Sequence, residues 1–183
     1  MSYKIRDELK LGNKYNLWSF ILCLILLGLS FQALYAAYNL TWQLAPDALT
    51  LWLLSVVTFI IGIKGFEDKS SKRAKWRSWL TMIIIVPLSI AFLLGVVVNT
   101  IAREHIETTQ SLDNNFVIDF YTINGGAASS ISVTGVLDGP LWFKKRIYYE
   151  DPMHEVDVEW ENNYTVTINK HTLNLKKGEF FFD

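Results

Sequence analysis

The 183-residue chain has a single cysteine, Cys23, so no disulfide can form within it. Any small domain it contains must hold together by packing alone, or with help from a membrane, a partner or a second copy. Histidine is scarce too, with only His105, His154 and His171. His154, Glu155 and Asp157 could be joined by His105 or His171 at a zinc ion, but the spacing favours ordinary surface histidines. Charge is the third shortage. Between Lys14 and Arg103 the only ionisable groups of that kind are Asp47 and one short patch, Lys64 to Arg77.

Those uncharged stretches are what the chain has in place of charge. Residues 17–38 and 80–98 each carry about twenty apolar residues without Asp, Glu, Lys, Arg or His, enough to cross a hydrocarbon core of about 30 Å. Residues 48–63 form a shorter run, about 24 Å of helix, so Lys64 would have to snorkel or the bilayer to thin. Three transmembrane helices are expected over about 17–38, 46–64 and 79–100, with Pro46 in the first turn of the second and Asp47 at its positive end. Three all-round apolar helices do not fit inside a soluble fold of this size. A cleaved signal peptide is the other reading of the first run, which is longer than an ordinary signal core.

Positive charge gives the expected orientation. Lys4, Arg6, Lys10 and Lys14 precede the first run, and Lys64, Lys69, Lys72, Arg73, Lys75 and Arg77 lie between the second and third. Residues 39–47 carry no Lys or Arg, so the N-terminus is expected in the cytoplasm and residues 103–183 outside it, in a multi-pass protein of the cell membrane. Trp18, Trp42, Trp52, Trp76 and Trp79 suit the headgroup level. No ionisable residue lies inside a run, which argues against a transporter or channel acting alone. Gly28, Ser30, Gln32, Ala33 and Ala37 form a weak signal for helix packing, and Pro87 is expected to kink the third helix structurally. The basic loop is read first as the topology signal, and second as a binder of anionic headgroups.

Residues 103–183 have a different character. Seven basic and thirteen acidic residues leave a net charge of −6, which makes nucleic acid an unsuitable partner. Apolar and polar residues alternate with period two. Val156, Val158 and Trp160 oppose Glu155, Asp157, Glu159 and Glu161, and Tyr164, Val166 and Ile168 oppose Thr165, Thr167 and Asn169. An Asn162-Asn163 turn is expected to join these two strands through left-handed angles. Further strands are expected over 116–123, 131–137, 141–149 and the terminal phenylalanines, parted by Asn124-Gly125-Gly126 and Asp138-Gly139-Pro140. The expected fold class is membrane α plus β: three transmembrane helices (residues 1–102), then a small exported all-β domain (103–183). That domain should be a single antiparallel sheet, curled or doubled into a sandwich. Residues 101–112 are expected to extend the third helix before becoming a linker.

Several short motifs recur in a fixed order: Ser111-x-Asp113-x-x-Phe116, Asn124-Gly125-Gly126-Ala127, Lys145 with Ile147-Tyr148, Val158-x-Trp160, Thr165-Val166-x-Ile168-Asn169 and Leu173-Asn174-Leu175. Over about residues 108–183 they resemble a family of small membrane-anchored bacterial proteins known only as a domain of unknown function. The resemblance implies the β architecture and no activity. Lys170 stands where glycine usually follows Ile-Asn in that family.

Chemistry is sparse. The acidic strand face has carboxylates about 6–7 Å apart, too spread for one cation and better suited to solvent. Ser129, Ser130 and Ser132 beside Gly125-Gly126 read as a turn between strands rather than a nucleophile near backbone donors. No catalytic, cofactor or metal residue is identified, and no enzyme is expected. Trp160 is in phase with the core. The interaction surface suggested by the sequence is Trp142, Phe143, Lys144, Lys145 and Arg146, a basic-aromatic edge that could instead dip into the outer leaflet. The expected function is an extracytoplasmic β-domain for binding or sensing, with the lipid bilayer and another envelope protein as partners. The alternatives are an accessory subunit of a larger membrane complex such as an exporter, or a metal-dependent envelope enzyme.

Overall fold

The computed structural model describes residues 2–68, 71–126 and 130–183. Three helices come first: α1 (Ser2–Asn39), α2 (Ala48–Gly65) and α3 (Lys72–Ala102). Each contains a segment long and apolar enough to cross a membrane. Asp47 caps α2: its carboxylate accepts from the Thr50 amide at 3.1 Å and the Thr50 hydroxyl at 2.6 Å. Pro46 therefore lies just outside the helix, one residue before the cap, and not in its first turn. α3 runs as one helix through Pro87.

Two compact units emerge, and their division does not follow chain order. One comprises residues 1–31 and 47–96, the other 32–46 and 97–183. The segment 32–46, which falls among the helices in sequence, thus gathers with the strands.

In the helical unit most of the buried side chains are small or hydroxylated: Ser19, Cys23, Ser55, Thr58, Ala74, Ser78 and Thr81, with Gly62 and Gly65; Leu26, Leu51 and Ile85 are the large apolar ones buried among them. Leu24, Ile25, Leu53, Ile60, Ile83 and Leu94 point outward instead. Asn16 links all three helices, its side-chain amide donating to Ala74 O at 2.9 Å, Ser78 Oγ at 2.6 Å and Gly65 O at 3.4 Å. Gly65 has to be glycine, because a Cβ there would sit 2.9 Å from the Asn16 Cα. The small residues singled out from sequence are elsewhere. Nothing lies within 4 Å of a Cβ added at Gly28, Ala37 is exposed, and Ser30 bonds back to Leu26 O within its own helix.

The β unit contains two sheets. The first has the order β1-β2-β3-β4-β8: β1 (Arg103–Gln110), β2 (Val117–Asn124), β3 (Ile131–Asp138), β4 (Lys144–Glu150) and β8 (Phe181–Phe182). The second has the order β5-β6-β7: β5 (Val158–Trp160), β6 (Thr165–Ile168) and β7 (His171–Asn174). Where the sequence suggests an antiparallel sheet, curled or doubled into a sandwich, the structure has two sheets, and the larger is mixed and not wholly antiparallel, since β8 pairs parallel to β4. Residues 103–110 form β1 and do not prolong the third helix. The strand leaves no pattern in the sequence because its side chains are almost all exposed and it holds its place through backbone pairing with β2.

Both sheets contribute to one core. Ile118, Phe120, Val133, Leu137, Ile147 and Tyr148 come from the first; Val166, Ile168 and Leu173, with Leu175 of the short 3-10 turn Leu175–Lys177, cover them. Gly135 lets Phe120 and Tyr148 close over the middle of the sheet, for a Cβ there would fall 2.9 Å from the Phe120 ring. Trp160 packs against this core, and its indole donates to Thr109 Oγ1 on β1 at 2.9 Å.

The loops account for several motifs. Ser111 closes the β1–β2 connection: its amide donates to Phe116 O at 2.9 Å and its hydroxyl accepts from Phe116 N at 3.0 Å. Asp113 accepts from Ser111 Oγ at 2.7 Å, and Asn114 takes the left-handed angle. The β5–β6 connection is a four-residue turn in which Asn162 Oδ1 accepts from the Tyr164 and Thr165 amides. Neither Asn162 nor Asn163 has positive φ, so side-chain capping replaces the expected left-handed turn. In the two-residue β6–β7 hairpin Asn169 alone has positive φ, which is why Lys170 can stand in for glycine.

Candidate interaction surface

Strand alternation divides the basic-aromatic run suggested by the sequence. Trp142 and Phe143 lie in the loop before β4, ring edges against one another at 6.0 Å. Trp142 is half exposed, and its indole N–H donates to Leu44 O at 2.8 Å in the segment 32–46. The same segment adds a bridge in which Gln43 N donates to Lys144 O at 2.8 Å and Lys144 N donates to Gln43 O at 3.3 Å. Gln32 supports it from the end of α1, accepting from the Leu44 and Ala45 amides and donating to Trp42 O. Gln32 was legible as a polar residue in an apolar run; its loop partners were not.

Beyond this clasp the basic residues part. Lys144 and Arg146 share a face with Asp119 and Tyr121, while Lys145 turns to the opposite side and donates to Gly178 O at 3.2 Å. A slip in the β3–β4 register after Gly135 fits Ile147 into the core without breaking this division.

The outer face of the five-stranded sheet carries an ordered polar group. Asp119 is its centre, accepting from Thr108 Oγ1 at 2.7 Å and Tyr121 Oη at 3.3 Å, with Lys144 Nζ at 3.5 Å and His105 Nε2 at 4.0 Å. Lys144 also reaches Asp138 at 3.2 Å. The Arg103 guanidinium lies over the Tyr121 ring at 4.5 Å, and the His105 ring meets that ring edge-on. Burial lowers the Arg103 pKa, the Tyr121 charge opposes that, and Arg146 nearby lowers it further. For Tyr121 burial comes first, and the Asp119 charge adds to it in raising the phenol. Arg103, Thr108 and Asp119 carry no signal in the sequence, where His105 enters only as a possible zinc partner, because the strand that carries three of the four reads as a helix tail.

A second network ties the two sheets. The Tyr148 hydroxyl donates to Glu150, and Asn169 Nδ2 donates to Tyr148 Oη at 3.0 Å and Glu150 Oε2 at 3.1 Å. Asn169 is in turn held by Asp157 N, which donates to its Oδ1 at 2.9 Å.

Other sequence candidates stay apart. Glu155, Asp157, Glu159 and Glu161 are exposed, as a solvated face should be. His171 stacks on Phe181 at 3.5 Å, His105 lies on β1, and among the described residues no three His, Cys, Asp or Glu side chains converge on a metal position. Ser130 donates to Asp151, and Ser132 is buried in β3. Ala127 and Ser129 lie outside the described residues.

Residues 72–183 match the sequence model of a family of unknown function (DUF5412), and the chain belongs to that family. The match starts well before the motifs and takes in all of α3 as well as every strand. No curated protein and no solved structure matches the chain.

Proposed function

We propose that this family member is a non-enzymatic multi-pass membrane protein whose β unit lies outside the cytoplasm and serves in binding or sensing. The observation that carries the proposal is the difference in what the two units bury. The helices enclose mostly small and hydroxylated side chains, and the apolar runs hold no Asp, Glu, Lys, Arg or His, which suits an anchor and not a conduit. The β unit has a core of its own and an outer sheet face on which charged groups are held in fixed positions. Its working surface runs from Arg103 and His105 across Asp119 and Tyr121 to Lys144 and Arg146, with Trp142 at its edge.

The basic residues before α1 and between α2 and α3, set against none in residues 39–47, support the orientation. Labelling of intact cells tests it. In a Cys23→Ala background, a membrane-impermeant thiol reagent should modify Asn163→Cys and leave Ser71→Cys untouched until the cells are opened; the reverse pattern rules out an extracytoplasmic β unit. For the surface, a photo-crosslinking side chain at His105 or Arg146 should give discrete adducts in native membranes, and one at Glu159 should not. Equal yields at all three sites would remove the surface from consideration.

A further inference from the structure

The β unit contains a cleft on the side of β4 away from that polar face, with a volume of about 250 Å³. Its floor is apolar, formed by the buried Leu137, Ile147 and Leu175, and the Trp42 ring walls one side. Its rim is basic. Lys145, Lys176 and Lys177 line it, and Gly178 allows the chain to turn there with φ of +73°. The only carboxylate in the lining, Glu179, is engaged by the Asn174 amide at 2.8 Å.

Lys176 and Lys177 are exposed and Lys145 is half-buried, so the rim can present positive charge to an incoming anion in residues that otherwise carry an excess of acid. Among the described residues none of the three has a carboxylate within 4.0 Å, since Lys145 reaches Gly178 O and Lys176 lies over the Tyr164 ring at 4.9 Å. An ammonium is a compact point charge with three donors, suited to phosphate oxygens that approach from several directions. Floor and rim together require a ligand with two parts, one charged and one oily.

We propose that this cleft binds a phosphate-bearing amphiphile, its phosphate between Lys145 and Lys177 and its apolar stem along Trp42, Leu137, Ile147 and Leu175. The site deepens the reading of the β unit as a binding module, and it does not depend on which side of the membrane that unit faces. A membrane lipid and a soluble phosphate ester share this chemistry.

The test uses full-length protein in phosphatidylcholine nanodiscs, titrated with dihexanoyl phosphatidylglycerol, hexyl phosphate, inorganic phosphate and dihexanoyl phosphatidylcholine, with binding read by native mass spectrometry and tryptophan fluorescence. Saturable binding of dihexanoyl phosphatidylglycerol or hexyl phosphate is expected, tighter than inorganic phosphate and than the zwitterionic lipid. The lipid alone would point to a membrane source, and hexyl phosphate binding equally well to a soluble one. Lys177→Gln and Lys145→Gln should each weaken it about five-fold, the loss of about 1 kcal/mol per lysine. Because Lys145 also holds Gly178, unchanged melting of Lys177→Gln serves as the folding control. No saturable binding of either amphiphile, equal binding of the zwitterionic lipid, inorganic phosphate binding as tightly as hexyl phosphate, or undiminished affinity in Lys177→Gln would each overturn the site. None of these outcomes bears on the thiol-labelling pattern, so the two proposals fail separately.

Discussion

The two units of this chain are built on opposite plans. In the β unit the fully buried side chains include Tyr148, Phe120, Ile118, Ile147 and Val133, and the charged groups are outside this core. In the helical unit glycine, alanine, serine and threonine make up most of what is buried, with Leu26, Leu51 and Ile85 among them, and most of the other leucines and isoleucines are turned outward. The first is the arrangement that water selects, because burying a large apolar side chain contributes about 1.5–3 kcal/mol. The second gains nothing from water. It suits a surrounding as oily as leucine itself, where close backbone approach and hydrogen bonds between helices are what remain to favour association. The division of the units falls within α3, between Val96 and Val97, and α3 passes into β1 at Arg103 without a linker.

The contrast can be broken most severely from the β side. Phe120→Ala removes the ring that Gly135 accommodates and should destabilise the β unit by about 3–5 kcal/mol. Denaturation in detergent, followed by near-ultraviolet and far-ultraviolet dichroism, should show the tertiary signal lost while helix content stays; simultaneous loss of both would mean that the units do not fold separately. A smaller effect is expected in the helices. Gly65→Leu sets a side chain against the Asn16 backbone and should cost about 1–3 kcal/mol, whereas Gly28→Leu meets nothing and should change melting by less than about 0.5 kcal/mol. If both leucines behave alike, the small-residue contact is not what holds the helices.

The smallest effects come from protons. Burial, reinforced by the hydrogen bond to Glu150, raises the Tyr148 pKa above its ordinary value. The folded pKa exceeds the unfolded one, so this stability is complete below about pH 10 and declines as pH rises toward the folded value. For Glu150 burial acts upward, but hydrogen bonds from Tyr148 and Asn169, with the His171 and Lys170 charges, outweigh it and leave the carboxyl lowered. Its contribution is complete above about pH 4.3 and fades as pH falls toward the lowered value. Melting of the β unit across pH should show both limbs; Tyr148→Phe should flatten the alkaline one and Glu150→Gln the acid one. A wild-type profile flat at both ends would remove the network from the stability of the unit.

How far these features could be read beforehand depends on which forces leave a trace in one dimension. Apolar runs and period-two alternation are local, so the helices and the strands β2, β3, β5 and β6 were legible. The strand β1 was not, because in Arg103–Gln110 it is backbone pairing that holds the strand and the exposed side chains carry no pattern. The parallel pairing of β8 with β4 and the Asp119 cluster join residues far apart in sequence, and only the fold brings them together. The run from Trp142 to Arg146 looked like one patch because it is contiguous, yet alternation along a strand splits neighbours between faces. The true contact of the helices was hidden in Asn16, Gly65 and Ser78, residues unremarkable one at a time.

The clasp between residues 32–46 and the β3–β4 loop has a consequence for how the protein is made. Trp142 finds its acceptor on Leu44, 98 residues earlier in the chain, so the first part of the β unit is synthesised long before the rest. During translation that segment has only Gln32 to hold it until the Trp142 loop and the start of β4 have emerged. A tail severed at residue 103 would lack a wall and two backbone bonds of its own fold, and truncation would be felt first at the Trp142 loop and the start of β4.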